Sequence, residues 1–253
     1  MKFIEVKTYE ELSEIAANII AAQVTLKPDC VLGLATGSTP VGTYKKLAEK
    51  NKAGVIDFSA VKTVNLDEYA GLDGTHDQSY RYFMNKNLFD NINIDKKNTY
   101  VPNGCAADLE KEGKEYDELI KSLGGIDIQL LGIGVDGHIG FNEPDDFFTA
   151  ATHPVVLDPS TIEANARFFA SADDVPRKAI TMGMMSIMQA KKILMVANGK
   201  NKADIICAMA TGPVTPQVPA SILQLHGDVT IFADAEALSV LKEKAPQLIS
   251  GLK

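Results

Sequence analysis

Residues 126–144 read Ile-Asp-Ile-Gln-Leu-Leu-Gly-Ile-Gly-Val-Asp-Gly-His-Ile-Gly-Phe-Asn-Glu-Pro. The apolar run from Ile126 to Ile133 has the length of a buried strand, and it passes directly into glycine. Gly132, Gly134, Gly137 and Gly140 fall within nine residues. Such density implies unusual backbone angles and close approach of the backbone to a ligand. On the N-terminal side, Asp108 stands as the N-cap of a helical stretch that stops at Gly124-Gly125, the usual start and stop residues of a helix. Helix, buried strand and glycine loop, in that order, is the repeating unit of a parallel sheet. Ligands of such sheets sit at the carboxyl ends of the strands.

The same unit recurs on both sides of this stretch. Thr8 and Glu11 form a capping-box pattern ahead of Leu12, Ile15, Ala16 and Ile19 at helical spacing. A first strand signal begins near residue 2. Cys30 to Ala35 reads as a buried strand, and Pro40 starts the next helix, where its missing N–H costs nothing. Val61 to Leu66 reads as another strand, and Ser79 caps a helix carrying Tyr82, Phe83 and Leu88. Ile193 to Ala197 is a strand followed by a helix from Lys202 to Ala210, and Val229 to Ala233 reads as the last strand. The alternation implies an α/β fold: a doubly wound, mostly parallel sheet in a single domain over residues 1–253. The stretch from Asp145 to Arg177 is the least regular. It is rich in Asp, Pro, Ala and Thr, and a mobile lid is expected at about 145–180.

Composition narrows the function classes. The chain has 253 residues, 45% of them hydrophobic and 23% charged, which excludes collagenous and disordered classes. Lys and Arg number 25 against 33 Asp and Glu, a net charge of −8. That balance has no electrostatic footprint for nucleic acid or an anionic membrane, so an anionic ligand must be held by a local site. Cys30, Cys105 and Cys207 are scattered and imply neither a disulfide framework nor a zinc knuckle. No two of His76, His138, His153 and His226 stand at metal-ligand spacing, so no metal is expected. The start, MKFIEVKTYEELSE, lacks the apolar region of a signal peptide, and no stretch approaches the roughly 18 apolar residues of a membrane span. The expected location is the cytoplasm.

The residues after each strand carry the candidate chemistry. Ala35-Thr36-Gly37-Ser38-Thr39-Pro40 opens a helix. Thr36, Ser38 and Thr39 offer hydroxyls beside the free N–H groups of a helix N-terminus, and Gly37 permits close approach, a combination that binds phosphate. An ordinary strand–turn–helix connection with Thr39 as N-cap would read the same. Asn65-Leu66-Asp67-Glu68-Tyr69 follows the next strand. Adjacent carboxylates at a strand end point to opposite sides, so one of the pair is expected to face the cleft, where it can act as a general base. In the glycine loop, His138 stands between Asp136 and Glu143. An imidazole flanked by carboxylates is held in one tautomer with a raised pKa, which suits acid–base work. Lys200 or Lys202, at a helix start where the dipole disfavours a cation, and Arg167 are candidate phosphate partners. Met182, Met184, Met185 and Met188 read as core filling, and His226 as a turn residue.

Taken together, these motifs resemble the glucosamine-6-phosphate deaminase (isomerising) family over essentially the full length. The matching stretches are LGLATGSTP at 32–40, NLDEY at 65–69, SYRYFM at 79–84, LLGIGVDGHIGFNEP at 130–144 and NARFF at 165–169. The resemblance implies a Rossmann-like sheet shared with 6-phosphogluconolactonases and with sugar-phosphate-sensing domains. It implies conversion of glucosamine 6-phosphate and water to fructose 6-phosphate and ammonia, with no metal and no organic cofactor. Asp67 matches the base that moves a proton between C2 and C1. His138 matches the ring-opening group, and Asp136 and Glu143 the acids that orient it. Thr36, Gly37, Ser38, Thr39, Arg167 and Lys202 match the phosphate clamp. A homo-oligomer is compatible with the resemblance, since family members range from monomer to hexamer.

Other readings share parts of this pattern. A 6-phosphogluconolactonase has the fold and a Gly-His loop, but its chemistry needs no C2 base, and that family does not continue into Phe141-Asn142-Glu143-Pro144. A non-catalytic sugar-phosphate sensor normally accompanies a DNA-binding segment. A galactosamine 6-phosphate deaminase differs only in the C4 epimer of its substrate. Effector-activated members of the family carry basic residues just after the Asn-Glu-Pro motif and in a longer C-terminal region. Here residues 145–155 contain neither Lys nor Arg and open with Asp145-Asp146, so activation by N-acetylglucosamine 6-phosphate is not expected.

Overall fold

A computed structural model describes residues 1–166, 169, 171 and 174–251. The elements follow in order. The first half holds β1 (Lys2–Val6), α1 (Tyr9–Leu26), β2 (Val31–Leu34), α2 (Val41–Lys52), β3 (Lys62–Asn65), β4 (Asp67–Tyr69), α3 (Tyr80–Asn87), β5 (Thr99–Tyr100) and α4 (Leu109–Ser122). The second holds β6 (Ile128–Leu131), β7 (His153–Val156), α5 (Pro159–Ala166), β8 (Lys178–Thr181), α6 (Met184–Met188), β9 (Lys192–Ala197), α7 (Ala203–Thr211), β10 (Val229–Asp234), α8 (Ser239–Lys244) and β11 (Ile249–Gly251).

The main sheet has eight strands in the order β11-β1-β10-β9-β6-β2-β3-β5, all paired in parallel. From β2 the chain builds outward through β3 to β5, and from β6 it builds the other way through β9 to β10. The reversal falls between β2 and β6, so their carboxyl ends border the crevice where ligands of doubly wound sheets bind. Side chains alternate between the faces, and each face has its own core. Ile193 and Met195 of β9 pack with Tyr116 and Ile120 of α4 and Ile206 and Met209 of α7. Leu194 and Val196 pack on the opposite face with Leu12, Ala16 and Ile20 of α1 and Tyr44 and Leu47 of α2. A strand covered on both faces reads as a continuous apolar run, which is why these strands are visible in the sequence.

A second, three-stranded antiparallel sheet, β4-β8-β7, stands apart from the main one. Its register places Asp67 opposite Thr181 and His153 opposite the same Thr181 on the other side. Tyr69, Phe141, Leu157, Ile162, Val175 and Ala179 form a small core beside it. The irregular reading of residues 145–177 is corrected here, because β7 and α5 lie inside it. β7 shows no alternating burial and contains Pro154, as a short edge strand tolerates, so periodicity does not reveal it.

Four local readings also change. β10 is not the last strand, since β11 adds beside β1 at the sheet edge. Thr8 caps α1 by accepting the Glu11 N–H, but the Glu11 carboxylate turns to the Lys7 N–H, so the box is displaced by one residue. Pro40 is the N-cap of α2 and not its first residue, and Thr39 does not cap that helix. Met185 is 51% exposed, whereas Met182 and Met184 are core as expected.

Candidate active site

A cleft of about 390 Å³ opens at the carboxyl ends of β2, β6 and β9, at the switch point. Its lining includes Thr36, Gly37, Ser38 and Thr39 after β2, Asp67 on β4, Asp136 and His138 after β6, and Lys202 after β9. Tyr80, Thr161 and Asn198 line it as well.

One end is built from hydroxyls and helix starts. The Tyr9 hydroxyl donates to the Thr39 carbonyl at 2.9 Å and accepts the Gly42 N–H at 2.9 Å, bracing the 36–39 turn against the start of α2. Thr39 Oγ1 donates to Asn198 Oδ1 at 3.0 Å, joining the β2 loop to the β9 loop. The Asp234 carboxylate, at the end of β10, accepts the Gly199 N–H at 3.0 and 3.2 Å and so holds the turn that presents Lys202 at the start of α7. Lys202 lines the cleft and Lys200 does not, which separates the two lysines left open by the sequence. Hydroxyls, a helix N-terminus and an ammonium at one end of a cleft suit a phosphate.

The other end is built from titratable groups. Asp67 is 5% exposed. Burial pushes its pKa up, the neighbouring Glu68 charge pushes it further, and His138 pulls it back; the result is about 8. Glu68 turns away toward α3, as strand alternation requires. Tyr80, the first residue of α3, stacks its ring on Phe141 with centroids 5.8 Å apart.

His138 Nδ1 lies 2.8 Å from Asp136 Oδ1 and 3.2 Å from Glu143 Oε2. Both carboxylates thus face the same ring nitrogen, which suits a protonated imidazole. Burial works to lower the imidazole pKa; the two carboxylates outweigh it and push it up to about 9. Burial likewise works to raise Asp136, and the contact with His138 outweighs it and holds this carboxyl well below the usual range. Glu143 Oε1 accepts the Thr161 hydroxyl at 2.7 Å, so α5 reaches the same cluster.

Glycine is required at two points of the loop. A Cβ on Gly134 would meet His138 Nδ1 at 2.4 Å and Asp136 Oδ1 at 2.5 Å, so the imidazole lies directly on the backbone there. Gly140 has φ +61, and a Cβ there would come within 2.9 Å of Thr181 Oγ1 and 3.4 Å of Asp67 Oδ2. The loop therefore passes over Asp67. The Phe141 N–H donates to Thr181 Oγ1 at 2.9 Å, and the Asn142 amide donates to the Ile139 and Met182 carbonyls, fixing that crossing.

Nearly all the residues singled out from the sequence thus converge on one cleft. Arg167 lies outside the described residues. Tyr80 sat inside a recognised motif without a role, and Thr161 and Asn198 were missed; short polar residues at loop ends carry no periodic signature. Asp136, His138 and Glu143 also form a group that can hold a metal, with one ligand atom of each within 4.8 Å of the others. The same three groups satisfy one another as a cation between two anions.

The chain is similar to several known proteins along nearly its whole length. A glucosamine-6-phosphate deaminase of Lachnoclostridium phytofermentans is 64% identical over 232 residues, covering 92% of this chain and 98% of its own. A glucosamine-6-phosphate deaminase of Clostridium perfringens is 56% identical over 242 residues, covering 96% of this chain and all of its own. The solved structure of a monomeric glucosamine-6-phosphate deaminase superposes with a TM-score of 0.93 at 49% identity, covering 95% of this chain and 100% of that one. A 6-phosphogluconolactonase from Trypanosoma cruzi, at 19% identity and TM-score 0.77 over 95% of this chain and 96% of its own, shares the fold. The model of the glucosamine-6-phosphate isomerases/6-phosphogluconolactonase family matches residues 5–232, and the chain belongs to that family.

Proposed function

We propose that this protein is a glucosamine-6-phosphate deaminase, converting glucosamine 6-phosphate and water to fructose 6-phosphate and ammonia. The observation that carries the reading is the pairing of a buried, weakly acidic carboxyl, Asp67, with a charged imidazole, His138, in a cleft whose far end suits a phosphate. The high-identity relatives named for this activity support it, and the lactonases are related at the level of fold.

The chemistry follows from these positions. The His138 imidazolium gives a proton to the ring oxygen and takes one back from the O1 hydroxyl, opening the pyranose and restoring its charge. Asp67, as carboxylate, takes the weakly acidic C2 proton, a role that needs a positioned base. The imidazolium stabilises the negative charge that develops on O1. Asp67 returns the proton to C1, which leaves an imine at C2. Water adds to C2, and the carbinolamine breaks its C–N bond, releasing ammonia and the ketose. A base with a pKa near that of the working solution both ionises and accepts protons readily, which is the use of a buried Asp67. Thr36, Gly37, Ser38, Thr39 and Lys202 hold the phosphate, far from the reacting carbons, so that binding energy fixes the open chain; Arg167, outside the described residues, joins them on the strength of its sequence motif alone. Asp136 and Glu143 keep His138 charged and oriented.

The substrate is the one partner we assign; the net charge of −8 offers nothing to nucleic acid or an anionic membrane. Among the described residues no helix is long and apolar enough to cross a membrane; the cytoplasm is the location we propose. Residues 145–180 act as a lid on one domain, supported by the Thr161–Glu143 hydrogen bond from α5. Ammonia release from glucosamine 6-phosphate and from galactosamine 6-phosphate, and separately hydrolysis of 6-phosphogluconolactone, decide among the readings. Release from the first alone is the expected outcome.

A further inference from the structure

Asp67 and Glu68 are adjacent, both buried, and only Asp67 meets the cleft. The Glu68 carboxylate is spent on backbone. Its Oε1 accepts the N–H groups of Tyr69 and Tyr80, each at 2.8 Å, and its Oε2 accepts the Arg81 N–H at 2.9 Å. Tyr80 and Arg81 are the first two residues of α3, and Ser79 Oγ accepts the third N–H, of Tyr82, at 3.1 Å. Glu68 therefore joins the strand that carries Asp67 to the helix that carries Tyr80.

We propose that Glu68 is a positioning residue of the reaction: its ionised carboxylate locks β4 to the start of α3 and places a fixed negative charge beside Asp67. This rests on the reading of Asp67 as the base. Three N–H donors on two oxygens are the partners of a carboxylate, and a start of helix favours negative charge. Burial leaves the Glu68 carboxyl above its ordinary range, and these three donors, with the Arg81 guanidinium, oppose that rise and favour the carboxylate. Arg81 is itself held by Thr99, donating to its hydroxyl and its carbonyl at 2.8 Å.

A charge beside a base raises its affinity for a proton. The groups facing Asp67 are few. Glu68 lies on its own strand and His138 on the glycine loop above it. Tyr44 of α2, Tyr69 of β4, Tyr80 of α3 and Tyr116 of α4 complete the surroundings, each phenol raised by burial and so neutral. Thr181 of β8 is uncharged. Among the described residues, Glu68 is the carboxylate whose charge raises Asp67, and His138 is the group that opposes it. Without it the base would lose its proton at lower pH and take the C2 proton less readily.

The test compares two variants. Glu68→Gln removes the charge, and Glu68→Asp keeps it on a shorter arm. In Glu68→Gln the rising acidic limb of kcat/KM should move down by about one pH unit, with a lower plateau. In Glu68→Asp the plateau should fall and the limb should stay. A Glu68→Gln limb that stays in place, with only kcat lowered, overturns the proposal and leaves Glu68 a structural cap. If the Gln variant does not fold, carboxyl NMR titration of the wild-type protein decides: Glu68 must remain ionised across the range in which Asp67 titrates, and a neutral Glu68 there overturns it. Asp67→Asn separates this from the underlying reading. Retained C2 proton exchange in that variant removes Asp67 as base, whereas its loss together with an unmoved Glu68→Gln limb removes only the role of Glu68.

Discussion

Asp67 pairs with Thr181 across the antiparallel β4–β8 ladder, and Thr181 Oγ1 accepts the Phe141 N–H at 2.9 Å. One threonine thus couples the strand of the buried carboxyl to the loop of His138. Asp67 and His138 follow different strands of the main sheet, and this small second sheet ties the two segments together above it. Rigid placement of acid and base on paired elements is what proton transfer at carbon demands.

Asp67→Asn should abolish deamination while sparing substrate binding. The amide keeps the shape but accepts no proton, a loss of roughly 10²–10⁴-fold or more. Solvent deuterium exchange at C2 is the measurement, and near-normal exchange would contradict the assignment. The same variant should be more stable above mild acidity. The folded pKa of Asp67, about 8, lies above its unfolded value, so its stabilising effect is full below the unfolded pKa and is lost as pH rises through about 8. The difference in Tm between variant and wild type should therefore grow from about pH 4 to about 8 and then level off.

The pH profile of kcat/KM should be a narrow bell. Activity needs Asp67 ionised, which raises the rate through about pH 8, and His138 protonated, which lowers it through about pH 9. Glu143→Gln removes one of the two anions that charge the imidazole, so the alkaline limb and the His138 NMR titration should both move to lower pH. An unchanged His138 midpoint would mean that Glu143 acts by geometry alone.

Lys202→Ala should raise KM for the sugar phosphate about tenfold or more with a smaller change in kcat, since a lost charge-assisted contact of about 1.5–3 kcal/mol falls mainly on ground-state binding. Thr39→Val, which breaks the link to Asn198, should act in the same direction and more weakly. A fall in kcat with KM unchanged would place Lys202 in the chemistry instead.

N-acetylglucosamine 6-phosphate should not activate the enzyme. The segment after the Asn-Glu-Pro motif borders a second cavity of about 430 Å³ whose lining includes Asp145, Phe147, Phe148, His153, Pro154 and Asp158 and, among the described residues, no lysine or arginine. A phosphate there would meet acids and aromatic rings. Coupling requires a second site with different affinity in two states, and this cavity lacks the charge for it. Substrate saturation should be hyperbolic and unchanged by low effector concentrations. A sigmoidal curve made hyperbolic by the effector would refute this.

The parallel sheet and most of the cleft are legible in the order of the amino acids. Strands covered on both faces announce themselves as apolar runs, and ligand-binding residues of such sheets follow directly after them, so 36–39, Asp67 and the 132–143 loop were legible from local pattern. The remainder depends on how distant segments pack. β4, β7 and β8 are short and lack alternating burial, so their ladder exists through pairing between distant segments. That ladder brings Thr181 to Asp67. Tyr80 and Thr161 reach the cleft because α3 and α5 pack over it, and Lys202 is preferred to Lys200 by the turn that Asp234 holds. The proton affinities belong to this level as well. An aspartate becomes a base of pKa about 8 through burial beside Glu68, and burial is a property of the assembled fold.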